Sequence, residues 1–273
     1  MLNAKLSVVL PAHNEEANIE ATVRSCLEAL PALVRDFEVV VVDDGSRDTT
    51  PEIVDRLAVE DRRVVPLHHE VNRGYGDALM TGFAHSKGDF VMFMDSDRQF
   101  DIADLEGLLP YVGAYDVVAG YRIRRQDPPI RLLYAGIFNL CVRIFFGVRL
   151  RDIDCAFKVF RGDLLRGIQL HFGGALINTE MLAKARKQGA NLTEVGVHHY
   201  PRLEGEQSGG SLRVVFRAMR DFFRLWWHMR DYVPPTGKVV RHPLIPEQVA
   251  AIAIGCGLLL GLLAWLAARR QRG

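Results

Sequence analysis

Cysteine is scarce in this chain. There are four in 273 residues (Cys26, Cys141, Cys155, Cys256), far apart and without a C-x-x-C pair. That excludes a disulfide scaffold and a structural zinc site, and it fits reduced thiols in a cytoplasmic setting. No G-x-x-x-x-G-K-[ST] phosphate loop exists and no G-x-G-x-x-G follows the first apolar run, so P-loop and dinucleotide-binding readings lose their signatures. No secretory apolar region opens the chain, because only Leu6 to Leu10 separate Lys5 from Pro11; the bulk of the protein is expected to stay in the cytoplasm. Low-complexity sequence is absent too. With 49% hydrophobic, 25% charged and 9% aromatic residues, the chain has the material for one large domain or two small ones around a proper core.

The formal net charge of +1 conceals a divided molecule. Residues 1–120 hold 10 Lys/Arg against 22 Asp/Glu, a net of −12, while residues 121–273 hold 24 against 11, a net of +13. A basic half of this size calls for an anionic partner, either nucleic acid or a membrane surface. The end of the sequence favours the membrane. Residues 249–268 (VAAIAIGCGLLLGLLAWLAA) run for 20 positions without a charge. As a helix that is about 30 Å, the thickness of a bilayer's hydrocarbon core. Gly255, Gly257 and Gly261 suit a membrane span, and Arg269, Arg270 and Arg272 close it. A single C-terminal anchor in the cell membrane is therefore expected. Basic residues flank both of its ends and leave the orientation of the tail open.

The first 120 residues alternate between strand and helix patterns. Apolar runs at 6–10, 37–42, 64–67, 89–94 and 116–119 read as strands, and 15–30, 50–59 and 75–86 as helices. The order predicts an α/β fold with a mostly parallel sheet covered by helices on both faces, whose strand ends share one ligand-binding edge. Three of those ends carry acidic or polar turns: Pro11-Ala12-His13-Asn14-Glu15-Glu16, Asp43-Asp44-Gly45-Ser46 and Asp95-Ser96-Asp97-Arg98-Gln99. Such residues also cap helices, but three together point to one crevice. Asp95 and Asp97, at i and i+2 past a strand, are hard oxygen ligands suited to Mg²⁺ or Mn²⁺, with Gln99 as a further oxygen. A metal there would neutralise a leaving diphosphate. Asn72-Arg73-Gly74-Tyr75-Gly76 is a turn opening a helix, where Arg73 and backbone amides can meet a phosphate.

The set LPAHNEEANI (10–19), VVVVDDGSRDTT (39–50), NRGYGDALMTGF (72–83), FVMFMDSDRQFD (90–101) and DIDCAFKVFR (152–161) resembles the family-2 glycosyltransferases. Within them it is most similar to the polyprenyl-phosphate sugar transferases typified by dolichyl-phosphate mannosyltransferase. The resemblance covers about residues 5–210. It implies a Rossmann-like GT-A fold and an inverting transfer of a hexose from a nucleotide-diphosphate sugar to a membrane polyprenyl phosphate (dolichyl or undecaprenyl). It puts Pro11, His13 and Glu15 near the nucleotide, where relatives often have Tyr in place of His13. Val42, Asp43 and Asp44 would hold the base or ribose. Asp95 and Asp97 would bind the metal and diphosphate, with Ser96 and Gln99 beside them. Arg122 would face a phosphate, Asp154 and Lys158 would lie near the donor sugar and diphosphate, and Arg202 would sit in a loop that closes over the site. A phosphate acceptor, largely a dianion at neutral pH, needs no strong general base. It does need cations, for which Arg122, Arg124, Arg125 and Arg131 are the candidates. The implied division is a catalytic domain at 1–211, with a nucleotide-sugar half at 1–120 and an acceptor-side half at 121–211.

Two further segments have the make-up of helices lying in the headgroup plane. Leu212, Val215, Phe216, Met219, Phe222, Phe223 and Trp226 form one stripe of 212–232, and Arg213, Arg217, Arg220 and Arg224 another. Residues 130–149 set Ile137, Phe138, Cys141, Ile144 and Phe145 between Arg131, Arg143 and Arg149. Both also suit core or partner-facing helices. Pro234-Pro235-Thr236-Gly237 breaks the second helix and opens a linker, 233–248, to the anchor. Arginines interleaved with Phe and Trp beside a membrane span remove nucleic acid from the partners. With one span, a complete path across the lipid would call for a homo-oligomer or a separate membrane protein. Two rival readings stay open. One is a transferase using a hydroxyl acceptor, for which Glu180 or Asp154 would be the base; the other is a non-catalytic nucleotide-sugar-binding scaffold.

Overall fold

The computed structural model describes residues 1–123, 129–172, 174–201 and 212–235. The order begins β1 (Leu2–Ala12), α1 (Ile19–Leu33), β2 (Val34–Asp43), α2 (Thr50–Glu60), β3 (Val64–His68), α3 (Tyr75–His85), β4 (Phe90–Met94) and the single turn α4 (Leu105–Leu108). It continues with β5 (Val117–Ile123), α5 (Pro129–Phe146), β6 (Phe157–Arg161), α6 (Gly162–Arg166), α7 (Ile177–Lys187), β7 (Leu192–His198) and α8 (Leu212–Asp231). The seven strands form one sheet in the order β3-β2-β1-β4-β6-β5-β7.

The sheet is parallel from β3 through β4, and its hydrophobicity follows from that. Residues 37–43 of β2 and 6–12 of β1 are buried without interruption, as strands covered on both faces must be. β2 and β3 follow β1 on one side while β4 lies on the other. The chain therefore reverses its winding direction between β1 and β4, where open α/β sheets bind ligands beyond the carboxyl ends of their strands. The three acidic turns all lie at such ends.

The second half departs from a purely parallel plan. β6 runs antiparallel to both β4 and β5, whereas β5 and β7 are parallel. Neither β6 nor β7 follows from periodicity. β6 is five residues long with a lysine at its second position, and in β7 only Val197 is buried. Gly120 of β5 meets this reversal: a Cβ there would lie 2.8 Å from the Phe157 carbonyl oxygen, so the close pairing with β6 excludes a side chain.

Helix α1 starts at Ile19, later than the apolar spacing implies, because residues 13–18 are held in a loop by side chains of the second turn. The amides of Asn14, Glu15 and Glu16 donate to Ser46 Oγ, Thr50 Oγ1 and Asp48 Oδ2, and Asn14 adopts a left-handed φ of 54°.

Helix α8 docks on α5. Phe222 meets Phe145 and Phe146 with ring centroids 5.3 and 5.2 Å apart, and Trp226 meets Phe145 at 5.7 Å. Phe222, Leu225 and Met229 are buried in this contact, so part of the apolar stripe belongs to the core. Phe223 and Trp227 stay exposed, as do Leu132, Leu133, Tyr134 and Leu140 of α5. Among the described residues no helix is long and apolar enough to cross a membrane. The expected anchor at 249–268 lies outside them, as do Arg124, Arg125, Arg202 and most of the linker.

Candidate active site

The rim of the crevice is a stitched structure. Both aspartates of the turn after β2 are gripped by consecutive histidines from the end of β3. Asp43 accepts from the Ser46 amide at 3.0 Å and pairs with His68 Nδ1 at 3.1 Å; the other ring nitrogen of His68 lies 3.2 Å from Asp55. Asp44 accepts from His69 Nδ1 at 2.7 Å and from the amides of Arg73 and Gly74 at 2.9 and 2.7 Å. Burial acts to raise the Asp44 carboxyl, but the Arg73 and Gly74 amides and the His69 ring together hold it below the usual range. Burial likewise acts to lower His68, and its two carboxylate neighbours outweigh it and raise the ring. Gly45 makes the turn possible, with φ at +64° and its Cβ position 2.5 Å from the Val71 carbonyl carbon. His13 donates from Nδ1 to the Asp44 carbonyl at 2.9 Å, which leaves its Nε2 to accept from Asn14 at 3.2 Å.

The floor carries Asp95 and Asp97 just past β4. Ser96 between them points back, donating to the Pro11 carbonyl at 2.7 Å, while its own carbonyl accepts from Thr22. The Tyr75 hydroxyl, from the first turn of α3, donates to Asp95 Oδ1 at 2.9 Å. Burial pushes the Asp95 carboxyl up to about 7 and the Asp97 charge adds to the rise, against Tyr75, Lys158 and Arg122. A recessed Asp95 carboxyl raised by burial and by its neighbour's charge is short of positive charge, and two adjacent hard oxygen donors fit a divalent cation. Asp97 Oδ1 also accepts from the Gln99 amide at 3.1 Å, and the Gln99 side chain donates to the Tyr200 carbonyl at 3.1 Å.

The sequence profile described as "Glycosyl transferase family 2" matches residues 7–162, which include all three turns and the acidic floor. The chain belongs to this family. Glycosyltransferase AglD of Haloferax volcanii is 34% identical over 270 residues, covering 95% of this chain and 41% of the relative. The undecaprenyl-phosphate 4-deoxy-4-formamido-L-arabinose transferases of Shewanella sediminis and Pseudomonas aeruginosa are 30% and 32% identical, each over 213 residues and 77% of this chain. The chain spans 63% and 62% of those two relatives, so in every case less than two thirds of the curated protein it matches. Among solved structures, glucosyl-3-phosphoglycerate synthase from Mycobacterium tuberculosis with Mn²⁺, UDP and phosphoglyceric acid superposes with a TM-score of 0.65. That match has 20% identity and covers 88% of this chain and 86% of that one. The likeness is one of fold, GT-A.

In this family 2 glycosyltransferase the remaining residues singled out from sequence fall into three groups. Pro11, His13, Glu15, Asp43, Asp44, Arg73, Ser96 and Gln99 gather at the crevice with Asp95 and Asp97. Within that set Ser96 is buried and bonded to Pro11, the Arg73 side chain is exposed, and the Glu15 carboxylate accepts from Asn18 at 2.8 Å. Val42 is fully buried in β2. Arg122, Asp154 and Lys158 come from β5, the segment after α5, and β6. Arg122 makes a bidentate pair with Asp152 at 2.7 and 2.8 Å, and although burial acts to lower its pKa, that pair carries it well above the ordinary value. Asp154 is exposed. Lys158 is fully buried, donates to the Cys155 carbonyl and to Asn178 Oδ1, and sits 5.4 Å from the centre of the Phe93 ring. Burial pushes its ammonium down. The last group, Arg202 and the Arg131 side chain, lies outside what is described.

Sequence reasoning missed four contributors: Tyr75, Asp152, and the clamping pair His68 and His69. Asp152 opens the quoted DIDCAFK motif, and the doubled histidine follows β3 as the doubled aspartate follows β2, so both had a visible signal. Tyr75 had none, because its role depends on where α3 begins. Glu180, the base weighed for a hydroxyl acceptor, is sealed inside. Its carboxylate is held by Lys184 at 2.6 Å and by the amides of His171 and Phe172.

Proposed function

We propose that this chain transfers a sugar, with inversion, from a nucleotide-diphosphate sugar to a polyprenyl phosphate at the surface of a bilayer. The observation that carries the reading is the recessed Asp95–Asp97 pair with the Arg122 guanidinium and the Lys158 ammonium within its electrostatic reach. That arrangement has acid for a cation and base for phosphates, with Glu180 closed off as a proton acceptor. The printed names of the relatives support the acceptor class.

In this reading Asp43, Asp44 and the loop from Pro11 to Glu15 take the nucleoside, and Asp95 and Asp97 hold Mg²⁺ or Mn²⁺. The cation supplies neutralisation of charge on the departing nucleoside diphosphate. Tyr75 fixes one carboxylate oxygen. Arg122, oriented by Asp152, and Arg131 take phosphate oxygens, and Lys158 keeps the floor positive from below. The acceptor oxygen already bears charge, so the protein's work is alignment and electrostatic stabilisation instead of proton removal. Residues 1–211 form the catalytic domain on the cytoplasmic side, 212–232 rest at the interface, and 249–268 form the anchor.

The test is a donor screen on washed membranes carrying the full chain, with a short-chain polyprenyl phosphate and its matching alcohol offered in parallel. Nucleoside diphosphate should be released with the phosphate only. Equal release with the alcohol would assign a hydroxyl acceptor and overturn the reading.

A further inference from the structure

A second site lies away from the crevice, on the outer end of α8. There α8 and residues 169–172 enclose a groove of about 990 Å³ that shares no residue with the candidate active site. Its lining is chemically mixed: the aromatic rings of Phe223 and Trp227, the guanidinium groups of Arg220 and Arg224, and the imidazoles of His171 and His228. The two imidazoles lie 5.0 Å apart, and His171 Nδ1 is 3.2 Å from the Lys184 ammonium. Acidic groups are present but outnumbered on the helix. Asp221 accepts from Arg220 at 2.9 Å and lies 3.9 Å from Arg224, and Asp231 lines the groove. Against these two, Arg213, Arg217, Arg220 and Arg224 recur at helical spacing.

We propose that this groove binds the headgroup of an anionic phospholipid of the surrounding bilayer, as a site separate from the one for the acceptor. Its two arginines are exposed, with 64% and 67% of their side-chain surface open, so they meet an anionic surface without moving. Trp227, which also lines the groove, is 61% exposed, and α5, which packs on α8, carries its own exposed apolar residues Leu133, Tyr134 and Leu140. An amphipathic aromatic ring next to cations is the composition of the headgroup level of a membrane. Val233 also lines the groove, and the apolar run at 249–268 follows it in the sequence. The inference rests on the reading that the enzyme works at a bilayer, and it adds selectivity for lipid charge.

The experiment reads tryptophan fluorescence of the full chain, carrying Trp265→Phe, in phosphatidylcholine vesicles. The vesicles contain equal mole fractions of either brominated phosphatidylglycerol or brominated phosphatidylcholine. Quenching by the anionic bromolipid should exceed that by the neutral one, and Trp227→Phe should remove most of the quenched signal. In Arg220→Gln/Arg224→Gln the excess should vanish, since each arginine at an anionic surface contributes roughly a fivefold preference. Equal quenching in the unmodified groove, or an unchanged excess in the double variant, would overturn the proposal. So would an absence of quenching by either lipid, which would mean that protein covers the groove. Sugar transfer measured in the same vesicles separates the two claims, because loss of transfer with the excess intact refutes the catalytic reading alone.

Discussion

Replacing Tyr75 by Phe removes one oxygen and little else. The ring stays at the start of α3 while Asp95 Oδ1 loses a donor at 2.9 Å. A hydrogen bond to a charged acceptor contributes about 1.5–3 kcal/mol net. At 1.4 kcal/mol per decade this predicts Mn²⁺ binding weakened by roughly 10- to 150-fold. Two effects act in the same direction. The carboxylate becomes harder to ionise, because the hydroxyl is one of the groups opposing burial and the Asp97 charge. It also gains freedom to rotate away from Asp97. The assay is calorimetric titration of Mn²⁺ with a nucleoside diphosphate into the detergent-solubilised full chain, with thermal unfolding as a control for folding. Binding within twofold of the unsubstituted protein, in a variant of unchanged Tm, would refute the claim that Tyr75 supports the acidic floor.

Three other outcomes follow from the geometry. Lys184→Met leaves the Glu180 carboxyl without its ion partner in a site where both side chains are fully buried, so urea denaturation should show a loss of about 3–5 kcal/mol; an effect under 1 kcal/mol would contradict the pairing. Because His68 is raised by Asp43 and Asp55, its contribution to stability is full below about pH 6.5 and lost as pH rises through the higher folded value. The Tm gap between the protein and His68→Asn should therefore narrow from pH 5.5 to 8.5, and a gap that widens would exclude that clamp. Gly45→Ala and Gly74→Ala both place a side chain at positive φ, but only the first meets backbone, at 2.5 Å from Val71, while the second has open space. Strain of this kind costs about 1–3 kcal/mol, so Gly45→Ala should lower Tm and weaken donor binding more than Gly74→Ala does, and the reverse order would count against the turn's role.

The division between what sequence revealed and what it hid has physical causes. Strands β1, β2 and β4 are buried along most of their length and read as unbroken apolar runs, while β3, at the sheet edge, is only partly buried. The turns after β1, β2 and β4 stand out because acidic residues follow those runs directly. β6 escaped notice because a lysine occupies its second position. Lys158 is tolerated there since the Cys155 carbonyl, Asn178 and the Phe93 face receive its ammonium, and the last two come from elsewhere in the chain. Strand β7 is mostly half-exposed and gives no strong period. On α8 the amphipathic stripe was plain, yet periodicity alone does not separate Phe222 and Leu225, which pack on α5, from Trp227, which faces out. In the site, Asp43 and Asp44 were visible as residues but not as clamped ones. Their histidine partners sit 25 positions away, a distance only the crossover between β2 and β3 closes.

Anomalous scattering from crystals of the full chain soaked with Mn²⁺ and a nucleotide-diphosphate sugar addresses the central claim most directly. A manganese peak bridging the carboxylates of Asp95 and Asp97, with the diphosphate on its open side and absent in Asp97→Ala, is the predicted result. Donor bound elsewhere, or seated in the crevice with no manganese between those two carboxylates, would contradict it.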